Sequence, residues 1–153
     1  MSLEAVYVEV KNLVLGEKLW EGKGKSDGPG FIKHVGIEGV ASMYSWSAQL
    51  KGMGRAKGVD INIHATGKSW MAPKGVGKAK DQAVFMTPSG DMGVLKGFAL
   101  SKMVQNKPVA VGLWHFMTGS EKLGWMNDVI AVASYEPIDP MWMELNLTIY
   151  EWK

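Results

Sequence analysis

In the segment Val59-Asp60-Ile61-Asn62-Ile63-His64-Ala65-Thr66, every odd position is apolar and every even position except the last in the run carries a strongly polar group. A period of two fits the pleat of a β-strand, where successive side chains point to opposite faces, and does not fit the 3.6-residue turn of a helix. One face is therefore suited to a packed interior and the other to water or a lumen. The same scheme places Tyr44, Trp46, Ala48 and Leu50 opposite Ser45, Ser47 and Gln49, and Met143, Leu145, Leu147 and Ile149 opposite Glu144, Asn146, Thr148 and Tyr150. Further strands are predicted over residues 5–10, 19–25, 69–78, 84–87, 94–103, 109–118 and 129–136.

Turn signals separate them: Asp27-Gly28-Pro29-Gly30, Lys80-Asp81-Gln82, Pro88-Ser89-Gly90-Asp91, Gln105-Asn106-Lys107-Pro108 and Pro137-Ile138-Asp139-Pro140. No stretch holds an apolar helical period through three turns, and the best candidate, residues 120–127, allows a short helix capped by Ser120. Nineteen glycines, spread along the 153 residues, suit frequent bends. Lys51-Gly52-Met53-Gly54-Arg55-Ala56-Lys57 recurs 23 residues later as Lys74-Gly75-Val76-Gly77-Lys78-Ala79-Lys80, a spacing of one β-hairpin. Glycines inside strands mark bulges or sharp bends, by which a sheet coils until it closes and loses its exposed edges. The expected fold is all-β: one domain over residues 1–153, a single antiparallel up-and-down β-barrel of about eight strands with at most a short helix.

Composition excludes several functions. There is no cysteine, so thiol chemistry, disulfides and Cys-ligated zinc are out. His34, His64 and His115 are too scattered for a metal motif, and no metal or cofactor is expected. Gly24-Lys25-Ser26 and Gly67-Lys68-Ser69 lack the leading glycine of a phosphate loop, with Leu19 and Asn62 in its place. The dinucleotide fingerprint also fails, because Asp27, Lys57 and Lys80 stand where its third glycine belongs. Seventeen basic against fifteen acidic residues give a net charge of +2, without the concentrated basic stripe of a nucleic-acid module. No apolar run has the length of a membrane-spanning helix, and Met1-Ser2-Leu3-Glu4 does not read as a signal peptide. A cytoplasmic protein with neither nucleic-acid nor membrane partners is expected.

Two strands break the one-sided pattern. Val109, Val111, Leu113 and Met117 share a face with His115, yet Ala110, Gly112, Trp114 and Phe116 make the other face apolar too; residues 129–135 behave alike. In a single barrel one face meets water, so these strands predict a covered outer surface, either a homo-oligomer contact or a lid from a long loop. Eleven methionines and seven tryptophans suit either a packed core or an adaptable apolar cavity. The candidate ligand-binding residues are His64, which shares a polar face with Asp60 and Asn62, with His115, Glu144, Tyr150, Trp46 and Trp114; no catalytic residue is assigned.

The Gly-x-Gly strand bends, Asn127-Asp128-Val129-Ile130-Ala131-Val132 and the closing Tyr150-Glu151-Trp152-Lys153 resemble small prokaryotic proteins with an allene oxide cyclase-like β-barrel, over residues 20–153. The resemblance implies an antiparallel barrel of about eight strands, a central cavity and a tendency to oligomerise. It transfers no site residue. Three functions are compatible with the sequence: a barrel binding a small, largely apolar molecule, a cyclase or isomerase acting on such a molecule, and a filled barrel acting through its surface.

Overall fold

The structure, a computed structural model, describes residues 14–26, 33–39, 41–51, 55–56, 58–71, 76–139 and 143–153. Its strands are β1 (Leu15–Ser26), β2 (Lys33–Glu38), β3 (Ala41–Lys51), β4 (Arg55–Ala56), β5 (Val59–Asp60), β6 (Asn62–Met71), β7 (Gly77–Met86), β8 (Met92–Val104), β9 (Lys107–Thr118), β10 (Ile130–Pro137) and β11 (Glu144–Trp152). A 3₁₀ turn at Gly124–Asp128 occupies the predicted helical segment. The predicted strand at residues 5–10 and the turn at 27–30 lie outside the described residues.

Neighbouring strands are antiparallel, in the order β1-β11-β10-β9-β8-β7-β6-β3. The second half of β3 returns to β1, pairing Leu50 with Gly24 and Ala48 with Ser26, which closes an eight-stranded ring. The first half of β3 pairs instead with β2, a short arm beside the ring. This is the expected all-β, barrel-like fold.

Two local readings need correction. Residues 69–78 do not form one strand: β6 stops at Met71 and β7 starts at Gly77. Lys80-Asp81-Gln82 is not a turn but the middle of β7, where Lys80 and Gln82 are exposed and Asp81 is buried. Three consecutive polar residues mimic a turn, yet their alternation continues through Ala83, Val84, Phe85 and Met86. Of the two copies of the glycine-rich repeat, the described parts are Lys51 at the end of β3 and Arg55–Ala56 as β4 in the first, and residues 76–80 at the start of β7 in the second; the rest lies outside the described residues.

The core gathers at the end of the barrel where β6, β8 and β10 begin. Ile61, Ile63, Phe85, Leu95, Phe116 and Ile149 project inward there, joined by Leu19 and Trp20 from β1 and by Leu123, Met126 and Val129 around the 3₁₀ turn. Phe85 and Phe116 meet edge to face at 5.8 Å. A register shift between Lys18 and Trp20 lets both Leu19 and Trp20 be buried, and the Trp20 indole N–H donates to the Ile61 carbonyl at 2.8 Å. At the same end Asp91 accepts from the Ser89 hydroxyl at 2.9 Å and from the Ser120 hydroxyl at 2.8 Å, tying the β7–β8 turn to the segment after β9. Those hydrogen bonds hold the Asp91 carboxyl below its usual range.

Candidate functional site

At the opposite end, the inward positions of three consecutive strands are small. They are Gly77 and Ala79 on β7, Ala99 and Ser101 on β8, and Ala110 and Gly112 on β9. Gly22 and Gly24 on β1 occupy the corresponding positions against Leu147 and Leu145. An eight-stranded barrel is just wide enough for side chains to fill it or for one small ligand; here Gly77, Ala99, Ala110 and Gly112 are buried, with the Tyr135 ring over Gly112 and the Met71 sulfur near Gly77.

Asp81 lies at the boundary between the filled and the small-lined halves. It is 5% exposed, and its partners on the two neighbouring strands are both glycine, Gly67 on β6 and Gly97 on β8. Two aromatic groups reach it from further round the ring. The Trp114 indole N–H donates to Asp81 Oδ2 at 3.3 Å, and the Tyr135 hydroxyl donates to the same oxygen at 2.7 Å. The two rings meet edge to face at 5.8 Å. Asp81 Oδ1 is buried and has no hydrogen-bond partner.

Glycines make this arrangement possible through missing side chains, not through special backbone angles. A Cβ on Gly97 would run into Trp114 Cδ1 and the Leu113 carbonyl oxygen, so the indole lies over β8 on its way to β7. A Cβ on Gly112 would come within 3.2 Å of Tyr135 Oη, which crosses β9 in the same manner. The strand glycines read from sequence as bends thus include two that serve close approach.

Burial raises the Asp81 carboxyl above its ordinary range, against the opposing effect of its hydrogen bonds from Tyr135 and Trp114. The Tyr135 phenol is pushed well above its ordinary value by burial first and by the adjoining Asp81 charge second. A buried carboxyl at hydrogen-bond distance from a phenol is suited to orienting a bound molecule or exchanging a proton with it.

Of the residues singled out from sequence, Trp114 belongs to this constellation. His64 lies on the exposed face of β6, His115 on that of β9 and Glu144 on that of β11, where its carboxylate is 4.0 Å from Lys25. Tyr150 shares the outer face of β11 with Glu144 and is partly buried. The backbone pairs Trp46 with Gly67; its side chain lies outside the description. The structure therefore does not bring the six together. Asp81 and Tyr135 were missed, and the available signal was Asp81 itself, a carboxylate on the apolar face of the alternating run from Gly77 to Phe85. Among the described residues no three His, Asp or Glu side chains group as metal ligands, and no helix is long and apolar enough to cross a membrane.

No family model matches the sequence, and no curated protein does. Similar solved structures include a β-barrel-like protein from Acinetobacter baumannii AYE, with 15% identity, a TM-score of 0.77 and coverage of 92% of this chain and 96% of that one. A protein of unknown function from Clostridium acetobutylicum aligns at 12% identity and TM-score 0.71, covering 90% and 98% of the two chains. An enzyme from Penicillium herquei aligns at 18% identity and TM-score 0.56, covering 92% and 94%. Likeness at these identities carries the fold alone.

Proposed function

We propose that this protein binds a small, largely apolar molecule in the small-lined half of its barrel, with the Asp81–Tyr135–Trp114 group orienting it. The observation that carries this reading is the buried Asp81 oxygen without a partner, beside a run of inward glycine, alanine and serine positions. A desolvated polar atom left unpaired costs about 1–3 kcal/mol, and a polar network retained at that cost calls for an explanation such as a ligand or an ordered water. Native mass spectrometry of freshly purified protein against its denatured mass tests the reading. A discrete mass released on denaturation is expected, whereas a bare chain that also takes up no added small molecule would point to a filled barrel acting through its surface.

The raised Asp81 carboxyl in contact with Tyr135 supports a second reading, a cyclase or isomerase that shapes an apolar substrate and moves a proton through Asp81. This is the activity class suggested by the resemblance to allene oxide cyclase-like barrels. Turnover of a lumen-bound compound that Asp81→Asn abolishes without releasing the compound would distinguish enzyme from binder.

We also propose that a second copy of the chain covers the outer faces of β8, β9 and β10. Phe98 pairs with Leu113 there and Leu100 with Val111 in the adjoining row, while Val132, beside Leu113 on β10, is already buried within the chain. Phe98 and Val111 are 51% and 53% exposed in the single chain, so the patch lies open where an isolated barrel would present polar groups. Sedimentation should give an assembly that Val111→Glu dissociates; a monomeric parent protein would refute this.

A further inference from the structure

Building on the lumen reading, we infer that the ligand presents an uncharged hydrogen-bond donor, a hydroxyl or N–H, to Asp81, and that the site discriminates against ligands carrying only acceptors or an anionic group there. Both protons in the constellation are already committed. Trp114 and Tyr135 each have a single polar hydrogen, and both hydrogens are directed at Asp81 Oδ2. What remains for a ligand is acceptor capacity: Oδ1, which has no partner, and the lone pairs of Tyr135 Oη. At a pH where Asp81 is ionised, a ketone, ether or ester placed here finds no free proton, because both available hydrogens point at Oδ2, and a carboxylate meets a like charge. A site that leaves a buried acceptor unpaired rejects analogues lacking the matching donor far more strongly than a hydrophobic wall rejects an extra methyl.

The donor is uncharged because burial already disfavours the Asp81 charge, and bringing a second bare ion into the same apolar surroundings adds a desolvation cost that their attraction does not reliably recover. A hydroxyl satisfies Oδ1 without that cost. Gly67 and Gly97, the residues paired with Asp81, put no Cβ of their own beside the carboxyl; on the Gly97 side that space holds the Trp114 indole.

Three probes of one shape test this at pH 8: p-cresol, 4-methylanisole and 4-methylbenzoate, titrated by calorimetry and by the Trp114 indole N–H resonance, identified by its loss in Trp114→Phe. The expected result is that p-cresol binds at least tenfold more tightly than 4-methylanisole, that 4-methylbenzoate binds least, and that p-cresol shifts the Trp114 resonance. In Asp81→Leu the preference for p-cresol should fall below threefold. The comparison among probes on the parent protein stands even where that variant fails to fold. Equal binding of cresol and anisole, or preference for the benzoate, overturns the donor assignment while leaving a binding lumen in place. Binding of none of the three overturns the lumen reading and the assignment with it.

Discussion

The two halves of the barrel interior use the same alternation of side chains for different ends. Where β6, β8 and β10 begin, the inward positions hold Ile63, Phe85, Leu95 and Phe116, and the 3₁₀ turn adds Leu123 and Met126. Further along the same strands, the inward positions shrink to Gly77, Ala79, Ala99, Ser101 and Gly112, with Asp81 between the two regimes. Inward-facing positions thus differ in what they bury: large apolar side chains in one half, and in the other small ones, Ala99 and Ala110 among them buried, around the Asp81–Tyr135–Trp114 group. The largest expected effect follows from this. Phe85→Ala, at a site 1% exposed in the filled half, should cost roughly 3–5 kcal/mol, measured as a fall in denaturant midpoint at unchanged slope. A cost under about 1 kcal/mol would mean that the filled half is not the stabilising one.

The boundary between the halves depends on close approach across glycine. Gly97→Ala puts a methyl where Trp114 Cδ1 and the Leu113 carbonyl already lie, so the indole must move and its hydrogen bond to Asp81 must lengthen or break. A cost of roughly 1–3 kcal/mol is expected for overpacking of this kind, together with a displaced Trp114 indole resonance. Gly119→Ala, with open space around its Cβ, is the control and should leave both unchanged. Equal behaviour of the two variants would break the link between strand glycines and the aromatic crossing.

Much of the filled half was legible in sequence, because alternation over β3, β6 and β11 is strict and a β-period needs no tertiary information. The small-lined half was not. Lys78-Ala79-Lys80-Asp81-Gln82 is polar enough to resemble a loop, and only the phase carried on through Ala83 and Phe85 reveals that Asp81 is on the inward face. Tyr135 lay in a segment apolar on both faces, where periodicity cannot say which side is inside. His64, His115 and Glu144 were attractive as titratable groups on strands, but strand phase alone does not tell lumen from solvent; register against neighbours places them outside. The Asp81 contacts cross between β7, β9 and β10, 33 and 54 residues apart in sequence, and depend on glycines whose role is spatial.

The position of Asp81 between the halves also predicts how stability depends on pH. Burial raises its carboxyl in the folded protein above the ordinary aspartate range, so the folded chain binds that proton more tightly than the unfolded chain. The resulting stabilisation is complete below the unfolded value of about 4 and is lost as pH rises through the folded value. Melting temperatures of the parent protein and Asp81→Asn between pH 3 and 8 isolate this contribution. The parent should lose ground to the variant by a few degrees as pH rises above about 4 and then run parallel to it. A constant difference would mean that Asp81 titrates normally and that the boundary is wetter than its burial implies.

The smallest effect on stability should come from filling the open half. Ala79 faces inward between Ser69 and Ala99 and retains partial exposure, so Ala79→Leu adds three carbons toward a region lined by small groups. In the filled half an added side chain of that size would cost roughly 1–3 kcal/mol through overpacking. Here the lumen reading predicts a change within about 1 kcal/mol, the new atoms covering apolar surface of their own. The same substitution should reduce binding of p-cresol by tenfold or more, since it occupies the space assigned to the ligand. Measured together, melting temperature and affinity separate the alternatives: a large loss of stability would show that the second half is packed after all, and unchanged affinity would place the ligand elsewhere.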